Sequence, residues 1–306
     1  PTTFWGKLEK AEGGEVLAWH PLLAHSADVA ACAEALLQRT LLRQRLATLG
    51  GRSDLDDVDI ARLAALAALH DIGKFNLGFQ RKSTQDQHVT AGHVKEVLAL
   101  FGSDFRERDR LFEALPTDPM ARWCDSEGAF ELLVAAIGHH GKPVACDAQA
   151  PVPALWQRSL PLDPFEGVAS LTASVRCWFP PAFETSRSGL PDTPAFQHAF
   201  AGLVMLADWL GSDRQVFPFA DDLSDRVEFA RSQAAKALAQ IGLDTHASRA
   251  SLGPEAPGFG AVSGYTPRAA QTATLELPTE PNGTLTVLES ETGSGKTEAA
   301  LVRFAR

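Results

Sequence analysis

The chain has 306 residues, of which 45% are hydrophobic and 22% are charged. This composition is typical of a globular protein with a sizeable core and excludes a disordered or collagenous chain. Because the net charge is -10, the chain as a whole is not a general binder of nucleic acid, and any such contact has to be local. No apolar run approaches the roughly 18 residues that cross a bilayer, and the first residues lack the features of a signal peptide. We therefore expect a cytoplasmic protein with no membrane segment.

The first predicted helices present histidines at their ends. Apolar residues at helical spacing predict a helix over residues 21–39, with His25 in its first turns. A second apolar run predicts a helix over residues 60–69, and His70 and Asp71 follow directly at its end. Neighbouring side chains on a helix diverge by about 100°, so these two can share a ligand only near the helix end.

A third helix is predicted to start near another histidine. Thr90 is a plausible N-cap for a helix that ends near Gly102, which places His93 in the first turn. His88 lies five residues earlier and is the alternative functional histidine of this segment. Gly92 precedes His93 at the predicted helix start, and the choice between the two histidines stays open at this point.

Two further segments carry polar residues in apolar surroundings. A short helix over residues 130–137 ends in a Gly-His-His-Gly turn that presents His139 and His140. A predicted helix over residues 196–210 carries Asp208 among Ala, Met, Leu and Trp. A carboxylate in such surroundings needs a partner.

The composition and the predicted secondary structure change near residue 245. No earlier segment predicts a strand, and residues 222–243 predict one more helix. Residues 284–289 have β-propensity, and residues 298–306 predict a closing helix. The predicted organisation is a mainly α domain over 1–244, a Ser-, Gly-, Pro- and Ala-rich linker over 245–264, and the start of an α/β domain over 265–306.

A phosphate-binding loop is predicted at residues 290–297, Ser-Glu-Thr-Gly-Ser-Gly-Lys-Thr, between the predicted strand and the last helix. In such loops, which include Gly293 and Gly295 here, backbone amides surround the phosphates. Lys296 would reach the terminal phosphates and Thr297 the magnesium ion.

The histidines and acids between residues 25 and 208 form an ordered series of metal-ligand types. Neutral imidazole and carboxylate hold divalent transition metals, and this number of groups would hold two ions, with Asp71 able to bridge them. The series comprises His25, His70, Asp71, His93, His139, His140 and Asp208.

The motif His70-Asp-Ile-Gly-Lys74, together with Ala207-Asp-Trp-Leu-Gly-Ser212, resembles the HD superfamily of hydrolases. With a phosphate-binding loop after it, the chain resembles the CRISPR-associated nuclease-helicase family of type I systems. The segments Phe4–Lys7 and His20–Ser26 most resemble the type I-E branch. The resemblance implies a mainly α HD domain followed by the first strand and helix of an incomplete RecA-like α/β domain.

The resemblance also implies roles for individual residues. One metal ion would be held by His25, His70, Asp71 and Asp208, and the other by Asp71, His93, His139 and His140. Lys74 would neutralise the scissile phosphate, and Ser212 would support substrate or water. Residues 265–271 resemble the adenine-reading element of superfamily 2 helicases, which implies that Gln271 contacts the base.

The activity implied is endo- and exonucleolytic hydrolysis of single-stranded DNA with two divalent ions, and histidine-rich ligation favours Mn, Fe, Co or Ni over Mg. In the intact protein, the resemblance implies 3′-to-5′ translocation with ATP and Mg, and recruitment by the Cascade surveillance complex. An anti-CRISPR inhibitor is a further candidate partner. Because the sequence ends one helix after the loop, we expect no ATP turnover from this chain.

Two other functions remain open at this point. Many HD proteins cleave small phosphate esters, so a nucleotide phosphohydrolase is the first alternative. The second is a non-catalytic docking module with structural metals.

Overall fold

The computed structural model describes residues 3–84, 90–124, 128–141, 153–184, 189–220, 223–245, 250, 258–278 and 284–305. Contacts within the chain divide it into two compact units, Pro1–Leu243 and Asp244–Arg306.

The first unit is mainly α-helical, as the sequence predicts. Its helices are α1 (Leu22–Arg39), α2 (Leu42–Leu49), α3 (Asp57–Ala68), α4 (Leu77–Gln80), α5 (Val94–Phe101), α6 (Arg106–Ala114), α7 (Thr117–Met120), α8 (Gly128–Ile137), α9 (Pro164–Trp178), α10 (Pro194–Gly211) and α11 (Arg226–Gln240). Short 3₁₀ segments span Ile72–Phe75, Arg81–Ser83, Pro153–Trp156 and Pro180–Phe183.

Helix α1 lies at the centre of the first unit. Most of its side chains between Leu22 and Leu37 are buried, and α3, α10 and α11 all pack against it. Six of these positions are alanines, and small side chains let neighbouring helices approach closely. The polar side chains of His25, Ser26 and Asp28 on α1 are therefore buried.

The N-termini of α3 and α10 are capped by polar side chains. Asp56 caps α3 and forms a capping box with Asp59. The two side chains accept hydrogen bonds from backbone amides of the first turn, which have no partner within the helix. Thr193 caps α10, and Pro194 occupies its first position. Both helices therefore have fixed starting points.

The expectation that no strand forms before residue 244 is wrong. Trp5–Lys10 and Val16–Pro21 form an antiparallel hairpin, with Lys7 opposite His20. The side chains of the second strand alternate between exposed and more buried positions, a period of two that is too short to stand out beside the helical runs.

The predicted start of α5 is also wrong. The helix begins at Val94 with His93 at its N-cap, so Thr90 is not the cap and His93 precedes the first turn. The predicted end at Gly102 is confirmed. This shift leaves the His93 backbone outside the helix, where it approaches the segment after α3.

The second unit has three helices among its described residues: α12 (Phe259–Ser263), α13 (Ala269–Glu276) and α14 (Lys296–Ala305). The predicted strand over residues 284–289 does not form, and Leu285 and Val287 are 93% and 84% exposed. A lone strand has no neighbour to satisfy its backbone groups, which explains why the β-propensity of this segment is not realised.

No helix among the described residues is both long and apolar enough to span a lipid bilayer.

Candidate metal centre

Seven histidine and aspartate side chains from five parts of the first unit converge on one cluster. They are His25 on α1, His70 and Asp71 after α3, His93 before α5, His139 and His140 after α8, and Asp208 on α10. These are the seven residues that the sequence predicts as metal ligands, and they lie together although 183 positions separate the first from the last.

Asp71 lies between two groups of histidines. Its Oδ2 atom is 3.3 Å from Nε2 of His25 and 3.1 Å from Nε2 of His70, whereas its Oδ1 atom is 3.3 Å from Nε2 of His93. The two oxygens of one carboxylate thus face different histidine groups, which is the arrangement that a bridging carboxylate requires.

The first group is completed by Asp208. Its Oδ1 atom lies 3.2 Å from Nε2 of His25 and 3.9 Å from Nε2 of His70. The potential ligand atoms of His25, His70 and Asp71 all lie within 4.8 Å of one another, close enough to share one cation.

The second group contains His93, His139 and His140, whose potential ligand atoms also lie within 4.8 Å of one another. The Nε2 atoms of His93 and His140 are 3.0 Å apart. Asp208 approaches this group through Oδ2, 3.9 Å from Nε2 of His139. His88, the alternative to His93, lies outside the described residues.

Backbone carbonyls orient two of the imidazoles. Nδ1 of His70 donates to the carbonyl oxygen of Ala67 at 2.8 Å, and Nδ1 of His139 donates to that of Ala136 at 2.9 Å. With the proton on Nδ1, the lone pair is on Nε2, which points into the cluster in both residues. The same three-residue spacing at the end of α3 and α8 produces both hydrogen bonds.

Several buried polar atoms of the cluster lack hydrogen bonds within the described part of the chain. They are both ring nitrogens of His25, Nε2 of His70 and Oδ1 of Asp71, whereas Oδ2 of Asp71 has the Lys74 ammonium group beside it. A buried polar atom without a hydrogen bond costs about 1–3 kcal/mol, so a fold rarely keeps several in one place. Divalent cations would satisfy these atoms together, and the donor set of imidazoles and carboxylates fits such ions.

Burial keeps three histidines of the cluster neutral. It lowers the pKa of His93 to about 4, where Lys74 and neighbouring imidazoles add to the effect, and that of His139 to about 3, where His70 and His140 add to it. Burial also lowers the pKa of His25. At neutral pH these imidazoles therefore carry a lone pair that is available to a cation.

The aspartates remain ionised for a different reason. Burial acts to raise the pKa of the Asp71 carboxyl, but His70 and Lys74 outweigh it and hold that pKa well below its usual range. Burial likewise opposes ionisation of Asp208, yet its contacts with His25 and His70 lower its pKa strongly. The cluster thus combines neutral imidazoles with carboxylates, the combination that binds cations.

The two predicted substrate residues lie beside this cluster. Lys74 is buried, with Nζ 2.5 Å from Oδ2 of Asp71. Ser212 caps the end of α10 and donates its hydroxyl to Oδ1 of Asp208 at 3.0 Å. Their predicted contacts with phosphate or water stay predictions.

The backbone of the His93 segment approaches the His70-Asp71 segment very closely. A Cβ atom on Gly73 would overlap the carbonyl oxygen of His93. Asn76 strengthens this approach, because its side-chain amide donates to the carbonyl oxygens of Gly73 at 2.7 Å and of Gly92 at 2.8 Å. Glycine at position 73 therefore allows both groups of histidines to meet at Asp71.

The five residues that the sequence predicts as nucleotide ligands line one cavity of about 740 Å³ in the second unit. Gly293 and Gly295 have φ values of 79° and 83°, which glycine adopts without steric cost. The Nζ atom of Lys296 donates to the carbonyl oxygens of Ser290 and Glu291, both at 2.7 Å. Gln271 donates to the carbonyl of Gly295 at 2.8 Å, and Thr297 completes the lining.

Lys7 is a site residue that the sequence analysis missed. Its ammonium group lies 3.6 Å from Oδ1 of Asp208, and burial together with the charge of Lys74 lowers its pKa. The hairpin that carries it was not predicted, so no sequence signal placed it near the site.

The family model described as "Cas3, HD domain" matches residues 5–217 of this chain. The CRISPR-associated endonuclease/helicase Cas3 of Escherichia coli (strain K12) is 28% identical over 97% of this chain and 36% of its own length. This chain therefore spans about a third of the length of that relative.

Two solved structures are similar to this chain in fold. The crystal structure of the Thermus thermophilus Cas3 HD domain in the presence of Ni²⁺ matches with a TM-score of 0.50 and 26% identity, covering 73% of this chain and 85% of that one. A chain of a CRISPR RNA-guided surveillance complex in a pre-nicking state matches with a TM-score of 0.50 and 22% identity, covering 100% of this chain and 35% of that one.

Proposed function

Because the chain belongs to the family of Cas3 HD domains, we propose that its metal centre hydrolyses phosphodiester bonds of single-stranded DNA with two divalent ions. The single observation that carries this proposal is the position of Asp71, whose two oxygens face separate histidine groups. Two-metal phosphodiester hydrolysis needs two adjacent cations, and a shared carboxylate is the simplest way to hold them together.

The residues divide between the ions as follows. His25, His70, Asp71 and Asp208 would hold one ion, and Asp71, His93, His139 and His140 the other. When bound, divalent transition metals supply positive charge beside a phosphate and lower the pKa of an attacking water. The histidine-rich donor set favours Mn, Fe, Co or Ni, and the Ni²⁺ present with the Thermus thermophilus domain is consistent with that class.

The chain's own side chains prepare the site. The carbonyls of Ala67 and Ala136 fix the imidazole tautomers of His70 and His139. Ser212 restrains Asp208 through its hydroxyl and is the side chain we assign to orienting Asp208 and nearby water. Lys74 holds Asp71 in place and, in this proposal, adds positive charge to the region that a phosphate enters.

The relative's name combines endonuclease and helicase. We therefore propose that this chain is the nuclease part of a longer nuclease-helicase, organised as a nuclease domain over residues 1–244, a linker over 245–264 and a helicase start over 265–306. The loop of Gly293, Gly295, Lys296 and Thr297, with Gln271 beside it, would bind ATP with Mg in that longer protein.

The partners follow from the same proposal. The similar chain in a CRISPR RNA-guided surveillance complex supports recruitment of this protein by a Cascade complex of the type I-E class. Single-stranded DNA would be delivered by 3′-to-5′ translocation, and an anti-CRISPR inhibitor would be expected to act on the same assembly. These processes take place in the cytoplasm.

The proposal is tested with the purified chain and circular single-stranded DNA. We expect nicking in Mn²⁺ or Ni²⁺ and no nicking in EDTA. Asp71→Ala should abolish it, because it removes the carboxylate that faces both groups. Asp104→Ala, which changes a fully exposed aspartate outside the site, should leave it unchanged.

Three results would count against the proposal. One is absence of nicking in every metal tested, and another is nicking that survives Asp71→Ala. The third is faster hydrolysis of deoxynucleoside triphosphates than of DNA, which would favour a nucleotide phosphohydrolase. Binding to the surveillance complex without any nicking would instead indicate a docking module.

A further inference from the structure

Two lysine side chains face the two carboxylates of the metal centre. Nζ of Lys74 lies 2.5 Å from Oδ2 of Asp71, and Nζ of Lys7 lies 3.6 Å from Oδ1 of Asp208. The two lysines differ in how firmly they are held, and that difference separates their roles.

Lys74 is held inside the structure. Its side chain is only 8% exposed, and its ammonium group also donates to the carbonyl oxygen of Gly6 at 3.2 Å. To reach a substrate in solution, Lys74 would have to leave both Asp71 and this carbonyl. Its position suits a side chain that fixes Asp71 and the first strand.

The side chain of Lys7 is held more loosely than that of Lys74, by one longer ion pair with Asp208. The Lys7 side chain is 32% exposed, and 3.6 Å is longer than the usual 2.7–3.2 Å range of a hydrogen bond. The strand itself is anchored, because Trp5 exchanges backbone hydrogen bonds of 3.0 and 3.1 Å with the side chain of Gln80. The ammonium group can therefore turn outward from a fixed position beside the site.

The strand also lies directly against a ligand helix. A Cβ atom on Gly6 would come within 3.0 Å of Cβ of His25, so the backbone before Lys7 packs against the first turn of α1. This packing fixes the strand beside the metal centre, and the Lys7 ammonium group lies next to Asp208 there.

Two other basic side chains near this strand are already engaged. Arg214 donates to Glu9 at 2.8 Å, and Lys10 donates to the carbonyl oxygen of Lys82 at 2.6 Å. Lys7 therefore offers a less restrained positive charge than either of them, at the edge of the site.

We propose that Lys7 binds a phosphate of the DNA strand beside the metal centre, an inference that rests on the nuclease function proposed above. The Lys7 ammonium group lies 3.6 Å from Oδ1 of Asp208, so it would be repelled by a cation that His25 and Asp208 hold. A phosphodiester that arrives in front of the site attracts it. Lys7 thus exchanges Asp208 for the substrate and contributes to DNA binding.

The test measures binding and cleavage separately. The probe is a fluorescent single-stranded phosphorothioate oligonucleotide in Mn²⁺, followed by anisotropy at several salt concentrations, with a gel to show that it remains intact. Initial rates on the unmodified oligonucleotide give KM and kcat, and Mn²⁺ titration calorimetry reports on the metal centre. The variants are Lys7→Gln, Lys7→Met, Lys7→Arg and the matched control Lys10→Gln.

We expect Lys7→Gln and Lys7→Met to raise Kd and KM about tenfold, with kcat changed less than KM, and to reduce the salt slope of binding by about 0.7. Lys7→Arg should restore binding, and Lys10→Gln should match the unchanged chain. Mn²⁺ binding should persist in all four variants.

Unchanged Kd and salt slope in both neutral variants would overturn the assignment of Lys7. Loss of Mn²⁺ binding in them would do the same, because Lys7 would then be part of the support of the metal centre. Absence of cleavage by the unchanged chain would refute the proposed nuclease function instead, and the anisotropy measurement would still decide whether Lys7 binds a phosphate.

Discussion

Arg226 on α11 places its guanidinium against the carboxylate of Asp28 on α1, with hydrogen bonds of 2.8 and 2.7 Å. Asp28 is fully buried and also accepts a hydrogen bond from Nε2 of His20 at 2.9 Å. Nδ1 of His20 accepts from the backbone amide of Ala220 at 3.1 Å, so the Nε2 atom carries the proton. The contact holds α1 one turn beyond His25.

Arg226→Met should destabilise the fold strongly, because it leaves the Asp28 carboxylate buried without its cation. Removing one partner of a buried pair typically costs about 3–5 kcal/mol. The free energy of unfolding in urea measures this loss. Adding Asp28→Asn should recover part of it, since the buried charge is then removed.

The matched control is Arg43→Met. Arg43 pairs with Asp54, whose side chain is 54% exposed, so its loss should cost about 1 kcal/mol or less. Equal losses in the two arginine variants would contradict the importance of burial at Asp28.

Gly73→Ala should displace the His93 segment, because the added methyl group overlaps the His93 carbonyl oxygen. Overpacking of this kind costs about 1–3 kcal/mol. Because His93 faces Asp71, we also expect weaker Mn²⁺ binding, which titration calorimetry measures together with urea unfolding. A variant as stable as the unchanged chain, with unchanged Mn²⁺ binding, would show that the approach of these two segments is not needed.

Gly202→Ala is the control for that variant. Gly202 lies within α10, where an added Cβ meets no atom within 4 Å. Alanine in a helix interior is favoured over glycine by about 0.5–1 kcal/mol, so this variant should be slightly more stable.

The metal-free chain should lose stability as the pH falls from about 6.5 toward 4. The folded-state pKa values of His93 and His139 are lowered to about 4 and about 3, so the folded chain keeps them neutral while the unfolded chain binds protons. Their contribution is complete above pH 6.5, and each adds a slope of up to about 1.4 kcal/mol per pH unit below it. Asp71 and Asp208 have lowered pKa values and act in the same direction only below about pH 4.

Urea unfolding in EDTA at pH 7.5, 6.5, 5.5 and 4.5 measures this dependence. His93→Gln should reduce the slope of the free energy of unfolding against pH by up to about 1.4 kcal/mol per pH unit, which corresponds to one proton. A free energy of unfolding that stays constant between pH 6.5 and 4.5 would contradict the buried, neutral state of these imidazoles.

Much of the helical framework could be predicted because its apolar residues follow the helical period. The predicted ends near His70 and His139 are close to the observed ends of α3 and α8. Both histidines follow a buried apolar run, and the next residues turn the chain. The sequence therefore indicated which polar side chains emerge beside the core.

Other features depend on contacts between distant segments and leave no local pattern. The short strand that carries Lys7 is stabilised by pairing with a second short strand. The start of α5 lies at Val94 and not near Thr90, at the point where the His93 backbone lies against Gly73. The strand expected at residues 284–289 failed for the opposite reason, because no partner strand accompanies it within the described residues.

The carbonyl partners of His70 and His139 could have been inferred from spacing. A histidine soon after the end of a helix can reach the carbonyl three residues earlier, as both do here. This rule fixes the tautomer as well as the position of the ring.

The number of metal ions bound per chain tests the central claim most directly. Titration of the metal-free protein with Mn²⁺ or Ni²⁺, followed by elemental analysis after dialysis, should give two ions per chain, with fewer in Asp71→Ala and two in Asp104→Ala. Binding of no ion, or two ions retained after Asp71→Ala, would contradict a centre in which Asp71 joins two metal positions.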